Sequence, residues 1–146
     1  MSTRSAARCL QVIGGLLIAL GLVHLAATPH IPELLRGSSP AVYEQAVGPM
    51  LLNHVLVGIL LLPLGFSTWL AAAASEQGES WALPVVIANA IVVCTLPLSI
   101  VVVMRRSEYY TAPLFLAGVL LAIVISLLMA VATVSLVRRQ RPGDHR

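Results

Sequence analysis

Residues 9–27, 47–74, 81–104 and 113–137 contain no Asp, Glu, Lys or Arg. Each of these runs is long enough to cross the hydrocarbon core of a bilayer, which takes about 20 helical residues. A segment in lipid must satisfy its own backbone amides, and the two-residue alternation of a membrane barrel is absent, so all four runs read as helices. The expected fold is all-α: one integral membrane domain over residues 1–146, arranged as a four-helix bundle. Composition agrees, with 58% hydrophobic and 10% charged residues where a soluble domain carries about 25% charged. So little charge cannot cover a water-facing surface, which excludes an ordinary soluble enzyme, a disordered tail and a nucleic-acid-binding module. The net charge of +3 comes from nine basic residues, all Arg, against six acidic ones. They cluster at the ends of the apolar runs, as orientation signals do.

Arg4 and Arg8 precede the first run, and Arg138, Arg139, Arg141 and Arg146 follow the fourth; Arg36, Arg105 and Arg106 lie in the first and third connections. Cytoplasmic N- and C-termini put six Arg inside and three outside, the favoured orientation. Trp81, Tyr109 and Tyr110 then stand at interfacial positions. A competing pattern is a cleaved signal peptide, with Arg4 and Arg8, an apolar run and Leu25-Ala26-Ala27 as its parts. The outer loop, 28–46, holds Pro29, Pro32 and Pro40, which stop a membrane helix because each lacks an amide donor. Residues 31–36 suit a short interfacial segment, and Ser39-Pro40 reads as the start of the second helix. Bends are expected at Pro49, Pro63, Pro84 and Pro97, and residues 138–146 form a basic tail. Two cysteines, Cys9 and Cys94, imply no disulfide framework.

Membrane helices meet where small residues let backbones approach. In the fourth run Gly118, Ala122, Ser126 and Ala130 recur every four residues and read as a packing face, toward either the other three helices or a second copy. Gly14 and Gly21 in the first run, and Gly58 and Gly65 in the second, do the same at spacings of seven. These rows place two histidines. His24 lies three residues after Gly21 and His54 four before Gly58, so both share their helices' small-residue faces and reach similar depth in the outer half.

Ionisable residues inside a membrane point by default to function. Two imidazoles suit copper or zinc, with His30 and Met50 as further candidate ligands. They also suit axial ligation of a haem b, while covalent haem attachment is excluded because C-x-x-C-H is absent. A quinone or proton-exchange site near the outer surface is a third use, since imidazole titrates near neutral pH. The plainest alternative is a hydrogen-bonded cluster of His24, His54 and Asn53 that fixes helix register, with Asn89 bonding a neighbouring helix in the third run. Cys94 reads as packing. No hydrolytic triad, phosphate loop or continuous polar lining for a pore is visible. Together these features lead to a non-enzymatic accessory or assembly subunit of a bacterial inner-membrane complex. Its expected partners are the lipid bilayer and other membrane subunits or itself, and not nucleic acid. The alternative is a redox protein binding haem or a transition metal through His24 and His54.

Overall fold

The computed structural model describes residues 1–37, 39–103 and 113–140. Helix α1 spans Thr3–Ala27, a single 3-10 turn covers Thr28–His30, and α2 is the short helix Ile31–Leu35. Helices α3, α4 and α5 span Pro40–Glu76, Ala82–Val103 and Pro113–Gln140. No strand occurs among the described residues. Four helical stretches are long and apolar enough to cross a bilayer. Arg105, Arg106, Tyr109, Tyr110, Arg141 and Arg146 lie outside the described residues.

Helix α1 starts six residues before the apolar run because Ser2 caps it: its carbonyl accepts from Ala6 N–H at 2.9 Å and its hydroxyl from Ser5 N–H at 3.1 Å. That satisfies donors a helix start otherwise leaves orphaned. At 37 residues, α3 is about 55 Å long and outruns the roughly 30 Å hydrocarbon core. Its first turn closes with Tyr43 N–H on the Ser39 carbonyl, 2.9 Å, and Pro40 opens it, where a missing amide matters least. Pro113 opens α5 in the same way. Pro29 and Pro32 fall at the second positions of the 3-10 turn and of α2, still within the first turn. The bend expected at Pro84 has no cause in the structure. That residue lies in the first turn of α4, which begins at Ala82, so no intrahelical bond is lost there.

The turn from α3 to α4 is closed by Gly78, whose φ is +77°. Glu79 N–H bonds the Ala74 carbonyl at 3.1 Å and Gly78 N–H the Ser75 carbonyl at 3.4 Å, the paired bonds of a Schellman cap. An alanine side chain at this position would meet no neighbour but would adopt left-handed backbone, which costs about 1–2 kcal/mol. Gly78→Ala should therefore lower the unfolding midpoint while leaving far-UV helicity intact.

The chain divides into two compact units: Met1–Ile13 with Ser67–Arg146, and Gly14–Phe66. In the first, Ala6, Ala7 and Leu10, then Ala71 and Ala72, then Ala82, Val86 and Val93, are buried at helical spacing. Asn89 connects α4 to α3, its two amide protons going to Ser67 Oγ (2.9 Å) and Thr68 Oγ1 (3.0 Å). Ser126 connects α5 to α4, with its hydroxyl 2.9 Å from the Val93 carbonyl and 2.8 Å from that of Ala122. Cys94 Sγ lies 3.4 Å from the Ser126 carbonyl.

The buried face of α5 differs from the expected stripe. It runs through Val119, Ile125, Ser126, Met129, Ala132, Thr133 and Leu136, whereas Ala122 and Ala130 are half-buried and Gly118 is exposed, with open space where a Cβ would stand. Each four-residue step overshoots a full helical turn by about 40°. A strict four-residue row therefore winds off the contact, which follows alternating steps of three and four. Thr133 Oγ1 is buried with no hydrogen-bond partner, and an unmet buried hydroxyl costs about 1–3 kcal/mol. Thr133→Val, nearly the same shape without the hydroxyl, should raise the unfolding midpoint in detergent.

Candidate functional site

The second unit brings residues 14–27 of α1 against residues 40–66 of α3 through glycine. A Cβ on Gly21 would lie 2.9 Å from the Gly58 carbonyl oxygen, and one on Gly65 would lie 2.6 Å from that of Gly14. Ile18, Leu25, Leu61 and Leu62 pack against these glycines. The same seam brings together His24, three residues after Gly21 on α1, and His54, four residues before Gly58 on α3.

Their imidazole centres stand 5.2 Å apart, with the ring planes inclined by 33°. Both residues are half-buried. His24 Nδ1 is 2.9 Å from the Leu20 carbonyl oxygen. A carbonyl only accepts, so Nδ1 carries the proton, and in the neutral ring Nε2 holds the lone pair. Thr28 Oγ1 in turn donates to the His24 carbonyl at 2.9 Å, holding the end of α1 in place. His54 Nδ1 is withdrawn from solvent and has no hydrogen-bond partner. A buried ring nitrogen without an acceptor is best left as a lone pair, because orphaned N–H groups are the rarer case. In their neutral forms the pair therefore offers two nitrogen lone pairs, His24 Nε2 and His54 Nδ1.

This geometry separates the candidate cofactors. An imidazole nitrogen binds a metal at about 2.0–2.1 Å, which puts the ring centre roughly 3 Å from the ion. Trans-axial ligands on the two faces of a haem would hold their ring centres about 6 Å apart with a macrocycle between them. At 5.2 Å, with planes tilted by 33°, the rings stand closer together than that arrangement requires. Two imidazoles sharing one ion at a tetrahedral angle have centres about 5 Å apart, which they do fit.

Of the other expected ligands, His30 lies away from the pair and Met50 lies beside it. His30 is on the surface, its Nδ1 3.8 Å from Glu33 Oε2 with the two side chains 72% and 61% exposed. Met50 stands one turn before His54 on the same face of α3 and is 39% exposed. Asn53 is exposed and does not join the imidazoles, because one residue turns it by about 100° around α3. Asn89 belongs to the first unit, with Ser67 and Thr68. No group of three or more His, Cys, Asp or Glu residues able to hold a metal occurs among the described residues. Arg36, Pro40, Tyr43 and Glu44 line a shallow recess of about 280 Å³ at the start of α3.

Sequence reasoning missed the Leu20 carbonyl and the link from Ser126 to Val93. The first had a signal in the four-residue spacing of Leu20 and His24. The second had one in Pro97, four residues after Val93. Comparison with family models, curated proteins and solved structures returns no match to this chain.

Proposed function

We propose that this chain is a non-enzymatic accessory subunit of a membrane complex, held in a bacterial inner membrane with both termini cytoplasmic and acting through helix packing. The observation that carries the proposal is Asn53. It is exposed on a stretch of α3 whose Leu52, Leu56 and Leu60 are 60%, 48% and 64% exposed. With the outer boundary near residue 47, its amide lies about 9 Å inside the apolar layer, where lipid offers no hydrogen bond. Asn89, by contrast, spends both amide protons within the chain. An outward amide at that depth calls for a helix of another subunit, since polar side chains join membrane helices. Coverage inside the chain is also thin: 17% to 39% of each span's most apolar window is buried.

A photocrosslinking residue placed at Asn53, and at Val131 (59% exposed) as a control, tests this in native membranes. The expected result is a defined protein adduct from position 53 and only lipid adducts from position 131. Asn53→Leu should release the same partner, read as a fall in complex mass by native mass spectrometry. Lipid adducts alone from both positions, with unchanged mass in the variant, would overturn the proposal.

A further inference from the structure

We propose that His24 and His54 form a binding site for copper(I), a function beyond helix packing and independent of it. The ligand atoms are His24 Nε2 and His54 Nδ1. The first is fixed as a lone pair by the bond from His24 Nδ1–H to the Leu20 carbonyl. Metal-binding histidines are oriented in this way, by donating their other ring nitrogen to a carbonyl or carboxylate. The second is the buried ring nitrogen that nothing in the chain satisfies. An ion bound to both would meet the unpaired nitrogen, and ring centres 5.2 Å apart are within the span of two imidazoles on one ion.

Charge and softness choose the ion. No carboxylate or thiolate completes a cluster of three with these histidines among the described residues, so the protein ligands are neutral. The Born cost of leaving water rises with the square of the charge, and a monovalent ion pays about a quarter of what a divalent ion pays. Zinc also takes four ligands in a closed structural site or three in an open catalytic one, and two imidazoles supply neither set. Copper(I) is monovalent and accepts imidazole together with soft thioether donors. Met50, four residues before His54 and therefore on its face of α3, supplies such a sulfur at the rim. With three protein ligands, two imidazoles and one thioether, the ion stays exchangeable, which suits transfer to another protein better than permanent storage.

The experiment is an anaerobic titration of the full chain, in mild detergent, with copper(I) against a chromophoric chelator. Wild type should retain one copper(I) per chain. His24→Gln and His54→Gln should each weaken retention by about tenfold or more, and the surface variant His30→Gln should leave it unchanged. Met50→Leu, which keeps the volume, should weaken copper(I) retention without loss of helicity. Because a histidine variant could fail through misfolding, imidazole ¹⁵N spectra of the wild type provide a second measurement. On adding copper(I), the His24 and His54 resonances should move and those of His30 should not. Absence of retained copper(I), undiminished retention by both histidine variants, or unmoved His24 and His54 resonances would overturn the proposal. Stoichiometric zinc without copper(I) would overturn it too, and wild-type retention in Met50→Leu would remove the reason for choosing copper(I).

Discussion

Gly65→Ala should be the most damaging single methyl addition in this protein, and Gly15→Ala, on the helix that Gly65 faces, should be mildly stabilising. The added carbon at 65 would meet the Gly14 carbonyl oxygen at 2.6 Å and the Ile18 backbone nitrogen at 2.8 Å. Neither atom can swing aside as a side chain can, so α1 and α3 must part along the seam. Overpacking typically costs about 1–3 kcal/mol, and a clash with backbone belongs at the upper end. Gly15 has nothing within 4 Å of the same added carbon, leaving only the helix preference of Ala over Gly, worth about 0.8–1.0 kcal/mol in water. Two further glycines grade the series. At Gly21 the nearest atom is the Gly58 carbonyl oxygen at 2.9 Å, while at Gly58 the closest contacts, 2.7 and 2.8 Å, are side-chain carbons of Leu25. A leucine can change rotamer, so Gly58→Ala should cost least of the three seam variants. Unfolding midpoints in mixed micelles should fall in the order Gly15→Ala, wild type, Gly58→Ala, Gly21→Ala, Gly65→Ala. A Gly65→Ala protein as stable as wild type would mean that the two backbones are not in contact there.

The seam also shows what the sequence made legible. Four uncharged runs stand out by length and composition, and a helix is what such a run forms if it must satisfy its own backbone. Gly14, Gly21, Gly58 and Gly65 were readable because close approach of backbones has few other solutions, and the meeting of His24 with His54 is a consequence of that row. Gly118 misled. In an apolar helix nearly every position is as hydrophobic as the next, so the face that packs is set by small rotations that composition records poorly. The four-residue row holding Gly118 is regular in sequence and winds off the contact in space. Asn53 misled for a related reason: its adjacency to His54 along the chain is a quarter-turn or more around the helix. Which nitrogen of His24 carries the proton depends on the Leu20 carbonyl, a backbone atom with no sequence identity at all.

Ser126→Ala should destabilise the protein in its natural background and do almost nothing when Pro97 is replaced by alanine. Pro97 lies inside α4 and has no amide to give the carbonyl four residues earlier, which is that of Val93. The Ser126 hydroxyl, 2.9 Å from that oxygen, supplies the missing donor from α5. Serine at this point is thus a repair of the proline break, and the bond joins two helices in the process. Removing the hydroxyl leaves a buried carbonyl unmet, at about 1–3 kcal/mol. The Pro97→Ala substitution restores an N–H in the right register, so Val93 no longer needs Ser126 and the loss should shrink to about a few tenths of a kcal/mol, the usual size of a change that leaves no buried group unmet. The hydroxyl also lies 2.8 Å from the Ala122 carbonyl, but that oxygen has its own helical amide and does not depend on it. A double-mutant cycle over Ser126→Ala and Pro97→Ala should therefore give a coupling of about 1 kcal/mol or more, within the range for residues that share a partner. Additive losses would show that the Val93 carbonyl is satisfied by another group, and that Ser126 serves α5 alone.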